Sequence, residues 1–171
     1  LMLDAFEYAQ QQNGKRDARH MITHVSDEAI PTIPRFLALG IRADGHPLPK
    51  AFFDAGVALN SSSDYPVREF FPMTRIAQGV KSGVPLEAII ASHTINGAEA
   101  IFAEKETGSI EKGKAADLVV MSENLFNVAP AALEKSEVVM TVFNGKIVYD
   151  RDAKNAKENE IITEVADGHD H

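Results

Sequence analysis

Helical and strand patterns alternate along the first two-thirds of this chain, and that rhythm rules out most folds. Leu3, Phe6, Tyr8 and Ala9 fall at helical spacing, and Asn13-Gly14 ends the helix. His20-Met-Ile-Thr-His24-Val25 is an apolar, β-branched run, which predicts a strand ending near His24. Ser26-Asp27-Glu28 reads as a helix start, with Pro31 and Pro34 restricting its first turn before Arg35-Phe36-Leu37. Residues 41–43 form a second predicted strand, ending in Asp44-Gly45-His46-Pro47. A short helix over 50–55 and a third strand over 57–59 follow, and then the polar run Asn60-Ser-Ser-Ser-Asp64. Residues 71–81 and 85–102 are predicted helices. In the second, Leu86, Ile89, Ile90, Thr94 and Ala98 share one side, and Pro85 suits a first turn. Strands separated by helices predict a parallel α/β sheet or barrel.

After Gly108 the character changes. Gly108-Ser-Ile-Glu-Lys-Gly-Lys-Ala-Ala-Asp-Leu-Val-Val120 predicts a tight turn around Gly113-Lys114 and then a buried strand over 116–121, with Asp117 its one charge. Residues 138–150 are predicted strands, and Asn144-Gly145 between β-branched runs is a hairpin signal. A last edge strand is expected over 161–165, before a frayed end. The expected division is therefore 1–107 for the α/β part and 108–171 for the β part.

Composition narrows the function. The 171 residues suffice for a sizeable core, and no apolar run approaches the length of a membrane span. The net charge of −8 argues against nucleic acid or an anionic membrane as a partner. With no cysteine, disulfides, thiolate nucleophiles and cysteine-based zinc sites are excluded. The compartment stays open, because the first residues read as mid-helix and a targeting segment can precede them.

In parallel α/β folds, ligands bind at the carboxyl ends of the strands. Three such ends carry polar groups: His24, His46 and Asp64. Imidazole and carboxylate in one mouth can hold a divalent metal, and the carboxylate can act as base toward a bound water. Each residue alone also has a plainer reading. His24 can be a hydrogen-bonded structural histidine, His46 a loop residue beside Pro47, and Asp64 a helix cap. His20 and His24 are four apart on a strand, more than about 12 Å, so they are not a two-ligand motif. His93 reads as a packing or surface residue on a helix, away from the strand ends. The chain has no nucleophile elbow and no phosphate loop.

Seven short segments, in order, resemble the amidohydrolase superfamily, and within it amidohydrolase family 3, the N-substituted formamide deformylase-like group. They are Asp17-Ala-Arg-His-Met-Ile-Thr-His24, Arg35-Phe-Leu-Ala-Leu-Gly-Ile41, Ala55-Gly-Val-Ala-Leu59, Ser63-Asp-Tyr-Pro-Val67, Thr94-Ile-Asn-Gly-Ala98, residues 108–120, and Val142-Phe-Asn-Gly-Lys-Ile-Val-Tyr149. The resemblance implies the C-terminal part of a (β/α)8 TIM barrel, with strands 6 to 8 of the barrel in 1–107, plus part of a small β-sandwich in 108–171. It implies hydrolysis of an amide or related C–N bond in a small molecule by a water activated on a divalent metal, zinc above others, with one or two ions. His24 matches the metal-binding histidine ending the sixth strand. Asp64 matches the aspartate ending the eighth, which binds metal and shuttles the proton. His46 falls where the family usually has glutamine, a substrate contact.

The departures shape the expectation. The family's first-strand His-x-His pair, its bridging carboxylate or modified lysine and its fifth-strand histidine have no counterpart here. Thr23 and Ser62 stand where the family has glutamate and glycine. His24 to Asp64 spans 40 positions, against about 60 for two units of an ordinary barrel, which predicts a shortened loop after Pro47. The resemblance thus implies a partial enzyme that needs a missing N-terminal half, as a fragment or as one half of a complementing pair. Such a chain by itself is expected neither to hold metal tightly nor to hydrolyse anything, and a homo-oligomer is compatible with it. The competing readings are a non-catalytic α/β subunit or binding module, and an unrelated α/β protein in which His24 and Asp64 lie more than about 8 Å apart.

Overall fold

The computed structural model describes residues 1–45, 49–67 and 71–153. It opens with α1 (Met2–Asn13), β1 (Met21–Ile22), α2 (Ile33–Leu39), β2 (Arg42–Asp44), α3 (Lys50–Asp54) and β3 (Leu59–Asn60). A 3-10 stretch, Asp27–Thr32, carries Pro31 and feeds α2, which has Pro34 in its first turn. This is the restricted helix start that the two prolines predict. The strands pair in parallel in the order β1-β2-β3, with Ile22 opposite Ala43 and Asp44 opposite Asn60. Three helices therefore alternate with three parallel strands, the rhythm read from the sequence.

Side chains along the central strand segregate by parity. Ile41 and Ala43 join Ile22, Val25, Val57 and Leu59 in one buried cluster, covered by Leu3 of α1, Phe36 of α2 and Phe52 of α3. Phe36 and Phe52 meet edge to face at 5.2 Å. Arg42 and Asp44, on the alternate positions, are buried too, at 7% and 5% exposure. Successive residues of a strand point to opposite faces, so the sheet is apolar toward the helices and polar on its other face.

α4 (Pro72–Lys81), α5 (Leu86–His93) and α6 (Ile95–Ala100) follow. The single helix expected over 85–102 is two. Thr94 breaks it with φ −131° and ψ −99°. Tertiary bonds favour the break: the Asn96 amide donates to the Leu59 carbonyl at 2.8 Å, while the Asn96 carbonyl accepts from Arg42 at 2.8 Å and from Asn60 at 2.9 Å. Thr94-Ile-Asn-Gly-Ala98 is thus the segment that ties α6 to β2 and β3.

The remainder is antiparallel: β4 (Leu118–Met121), β5 (Val138–Phe143) and β6 (Lys146–Asp150), in that order across the sheet. Asn144 (φ 48°) and Gly145 (φ 76°) make the two-residue turn predicted from their sequence. β4 corrects one expectation. It begins at Leu118 rather than 116, and Val119 and Val120 are 58% and 46% exposed, so the apolar run is a surface strand and not a buried one. The strand expected over 161–165 lies outside the described residues. Met121 and Leu125 pack against Met73, Ile76, Val84 and Ile89 of the α4–α5 layer. Among the described residues, no helix is long and apolar enough to cross a membrane.

Candidate metal centre

Three chain segments leave the carboxyl ends of β1, β2 and β3 side by side. The Val25 amide donates to the Asp44 carbonyl at 2.9 Å, holding the end of the first segment against the second. The Ser62 hydroxyl donates to Asp44 Oδ2 at 3.0 Å, holding the third against the same residue. His24 and Asp64 project from the first and third segments. Their Nδ1 and Oδ2 atoms are 3.9 Å apart, with side chains 68% and 40% exposed. Forty positions of sequence separate them, yet they share one mouth. The separation excludes the reading in which they lie far apart.

Both residues have left-handed backbones, φ 59° at His24 and φ 53° at Asp64. Left-handed conformations are uncommon outside glycine, although His and Asp tolerate them better than most. Two on facing loops, carrying the two candidate ligands, match the tendency of such backbones to gather at functional sites. The contact itself does not explain their proximity. At 3.9 Å it is too long for a hydrogen bond, and an ion pair this exposed contributes little.

A shared cation does fit. Two donors about 2.0–2.2 Å from a tetrahedral ion lie about 3.4 Å apart, and the observed gap is within about half an ångström of that. Imidazole nitrogen and carboxylate oxygen are the donor types a catalytic zinc uses. Among the described residues, however, no third histidine, cysteine, aspartate or glutamate joins them to make a three-donor group. His24 and Asp64 therefore fit as two ligands of a larger set. His46 lies outside the described residues.

Of the other histidines, His20 separates as expected and His93 corrects an expectation, for it does not lie away from the strand ends. His20 stacks on Phe6 at 4.8 Å and belongs to the α1 packing. His93 ends α5, and its neighbour Ser92 accepts from the Ser61 amide at 3.0 Å. That end of α5 is therefore nearer the mouth of β3 than the helical reading placed it. A cleft of about 360 Å³ opens elsewhere, between Asp17, Arg19, Gly40 and Val57 at the amino ends of the strands. It is not the site of His24 and Asp64.

Asp44 is a buried residue of the mouth shared by His24 and Asp64 that the sequence did not single out. Its carboxylate is buried, with Oδ2 on Ser62 and Oδ1 without a partner among the described residues. The available signal was a charge directly after the short predicted strand 41–43, two positions after Arg42 and alternate to Ile41 and Ala43.

Comparison with known proteins identifies the family and the fold. The chain is 33% identical to the N-substituted formamide deformylase of Arthrobacter pascens over 60% of its own length and 21% of the relative's. It is 30% identical to the imidazolonepropionase of Thermoplasma volcanium, over 77% of this chain and 35% of that one. It thus spans about a fifth to a third of such relatives. Its fold resembles a zinc-bound adenosine deaminase from Xanthomonas campestris, with a TM-score of 0.66 and 17% identity over 94% of this chain and 44% of the other. A zinc-bound atrazine chlorohydrolase from Arthrobacter aurescens gives 0.61 and 15%, over 94% and 43%. A profile of the amidohydrolase family matches residues 1–149, and the chain belongs to that family.

Proposed function

We propose that this chain is the C-terminal part of a metal-dependent amidohydrolase that cleaves an amide or related C–N bond in a small molecule. The observation that carries the reading is the 3.9 Å approach of His24 and Asp64 beyond the carboxyl ends of β1 and β3, on either side of β2, with donor atoms of the type zinc takes. Family membership and the formamide deformylase and imidazolonepropionase relatives support the C–N bond as the one cleaved. In this reading residues 1–107 supply the last strands of a (β/α)8 barrel and 108–171 part of a small β-sandwich. The remaining metal donors come from outside the described residues.

His24 would hold the metal through an imidazole nitrogen. A bound divalent ion lowers the pKa of its water toward neutrality. Asp64 would be a second ligand and the base, its carboxylate able to accept a proton from water and return it to the departing nitrogen. His46, standing where the family usually has a substrate-contacting glutamine, would contact the substrate.

The test is zinc analysis and formamide hydrolysis, on the 171-residue chain and on the same chain joined to, or mixed with, the family's first barrel strands. The chain alone is expected to hold zinc weakly and hydrolyse nothing. The complemented protein is expected to hydrolyse, with Asp64→Asn lowering kcat about 100- to 10,000-fold and His24→Ala lowering zinc content. Stoichiometric, tight zinc on the chain alone defeats the half-site. A complemented protein that binds zinc but hydrolyses no C–N bond points to a non-catalytic binding module.

A further inference from the structure

We infer that Asp44 is the positioning residue of the metal pair, a single brace that fixes both loops bearing His24 and Asp64, acting on the second through Ser62. This rests on the metal-site reading above and goes beyond it to a residue that touches neither ligand side chain. The geometry is direct. The Asp44 carbonyl accepts from the amide of Val25, which follows His24, at 2.9 Å. Its Oδ2 accepts from the hydroxyl of Ser62, two residues before Asp64, at 3.0 Å. One residue on the central strand therefore grips each neighbouring loop, close to the residue with the left-handed backbone. Left-handed non-glycine backbones persist only where the surroundings hold them, and these two bonds are such a hold.

Two further observations separate a brace from ordinary packing. Asp44 is 5% exposed, and Oδ1 has no partner among the described residues. A buried carboxylate oxygen without a partner opposes folding, so an apolar or smaller side chain would serve stability better. Ser62 supplies the hydroxyl of the bond to Oδ2. The side chains of Asp44 and Ser62 thus form a bond that a glycine at 62 cannot form.

The test is zinc titration of the 171-residue chain followed by NMR, which reads weak binding, with the thermal midpoint of the metal-free protein measured beside it. Asp44→Ala and Ser62→Ala are each expected to weaken zinc binding at His24 about 10- to 100-fold, the usual effect of removing a group that orients a ligand. The double variant is expected to be no weaker than the worse single one, because both changes break one bond. Asp44→Asn and Ser62→Thr keep the acceptor and the hydroxyl and are expected to stay within about twofold of the parent. The metal-free midpoint of Asp44→Ala is expected to hold or rise. Affinities unchanged in the alanine variants, or a midpoint falling in step with affinity, overturns the brace. If the parent shows no zinc response at His24, the metal reading falls. The brace is then judged on metal-free spectra through the Val67 amide, which donates to the Asp64 carbonyl. Both alanine variants must shift that signal, and no shift overturns the proposal.

Discussion

Gly108 shows how a single residue can join two parts of this chain. Its φ is +90°, and a Cβ built on it would stand 2.7 Å from the Ala98 Cβ and 3.0 Å from the Ile95 backbone. The turn leading to the antiparallel sheet therefore rests directly on α6, with no room for a methyl group. Gly108→Ala is expected to destabilise the protein by about 2–4 kcal/mol, from backbone strain and overpacking together, read as a lower urea midpoint. Gly113 is also left-handed (φ +97°) but has open space around it, so Gly113→Ala is expected to cost less in the same assay. At this scale the sequence was partly legible. The glycines marked turns, and His24 and Asp64 stood out as polar residues at strand ends. Asp44 did not, because a lone aspartate before a glycine looks like any loop entry. What sets it apart is burial, which depends on β1 and β3 closing on either side.

Among the elements, the β4–β6 sheet is held to the turn before it by Asp117. Its Oδ2 accepts from the Thr107 hydroxyl at 2.9 Å, and its Oδ1 accepts from the Asn144 amide at 2.8 Å. The charge that interrupts the apolar run is therefore an anchor for the hairpin turn rather than a misfit in a strand. Asp117→Ala is expected to lose about 1 kcal/mol, the net worth of exposed hydrogen bonds, and to speed hydrogen exchange at the Asn144 amide. Asp117→Asn keeps one acceptor oxygen and is expected to fall between. Element order and type were readable from period and turn chemistry. Strand lengths and the exposure of Val119 and Val120 were not, since an apolar run reads the same whether or not anything covers it. The break at Thr94 was also hidden, because the bonds that pull Asn96 onto Leu59, Arg42 and Asn60 come from residues 36 to 54 positions away.

Across the whole molecule, Arg19 fastens the approach to β1 to the segment after α6. It donates to both Glu104 carboxylate oxygens, at 2.7 and 2.8 Å, and to the Glu99 carbonyl, and its guanidinium lies 4.0 Å from the centre of the Phe102 ring. These hydrogen bonds from Arg19 hold the Glu104 carboxyl at about 2, below its ordinary 4.5. A carboxyl whose pKa is lowered by folding stabilises the fold above its unfolded pKa and loses that contribution as pH falls toward its folded one. The thermal midpoint is therefore expected to drop as pH falls through the window from 4.5 to about 2. Glu104→Gln is expected to flatten that limb while leaving the rest of the profile in place. An identical acid limb in the variant would place the titration elsewhere. The sequence by itself determined the alternation of helices and strands, the switch to an antiparallel sheet after Gly108, and the residue types available for metal chemistry. These follow from periodicity, glycine and proline geometry and side-chain donors, all of them local. Only the tertiary structure decided that His24 and Asp64 meet, that Asp44 lies buried between their loops, and that Asn96 and Arg19 tie distant segments together. Such contacts depend on which strands become neighbours, and parallel pairing across intervening helices is a property of the assembled sheet rather than of any one stretch of chain.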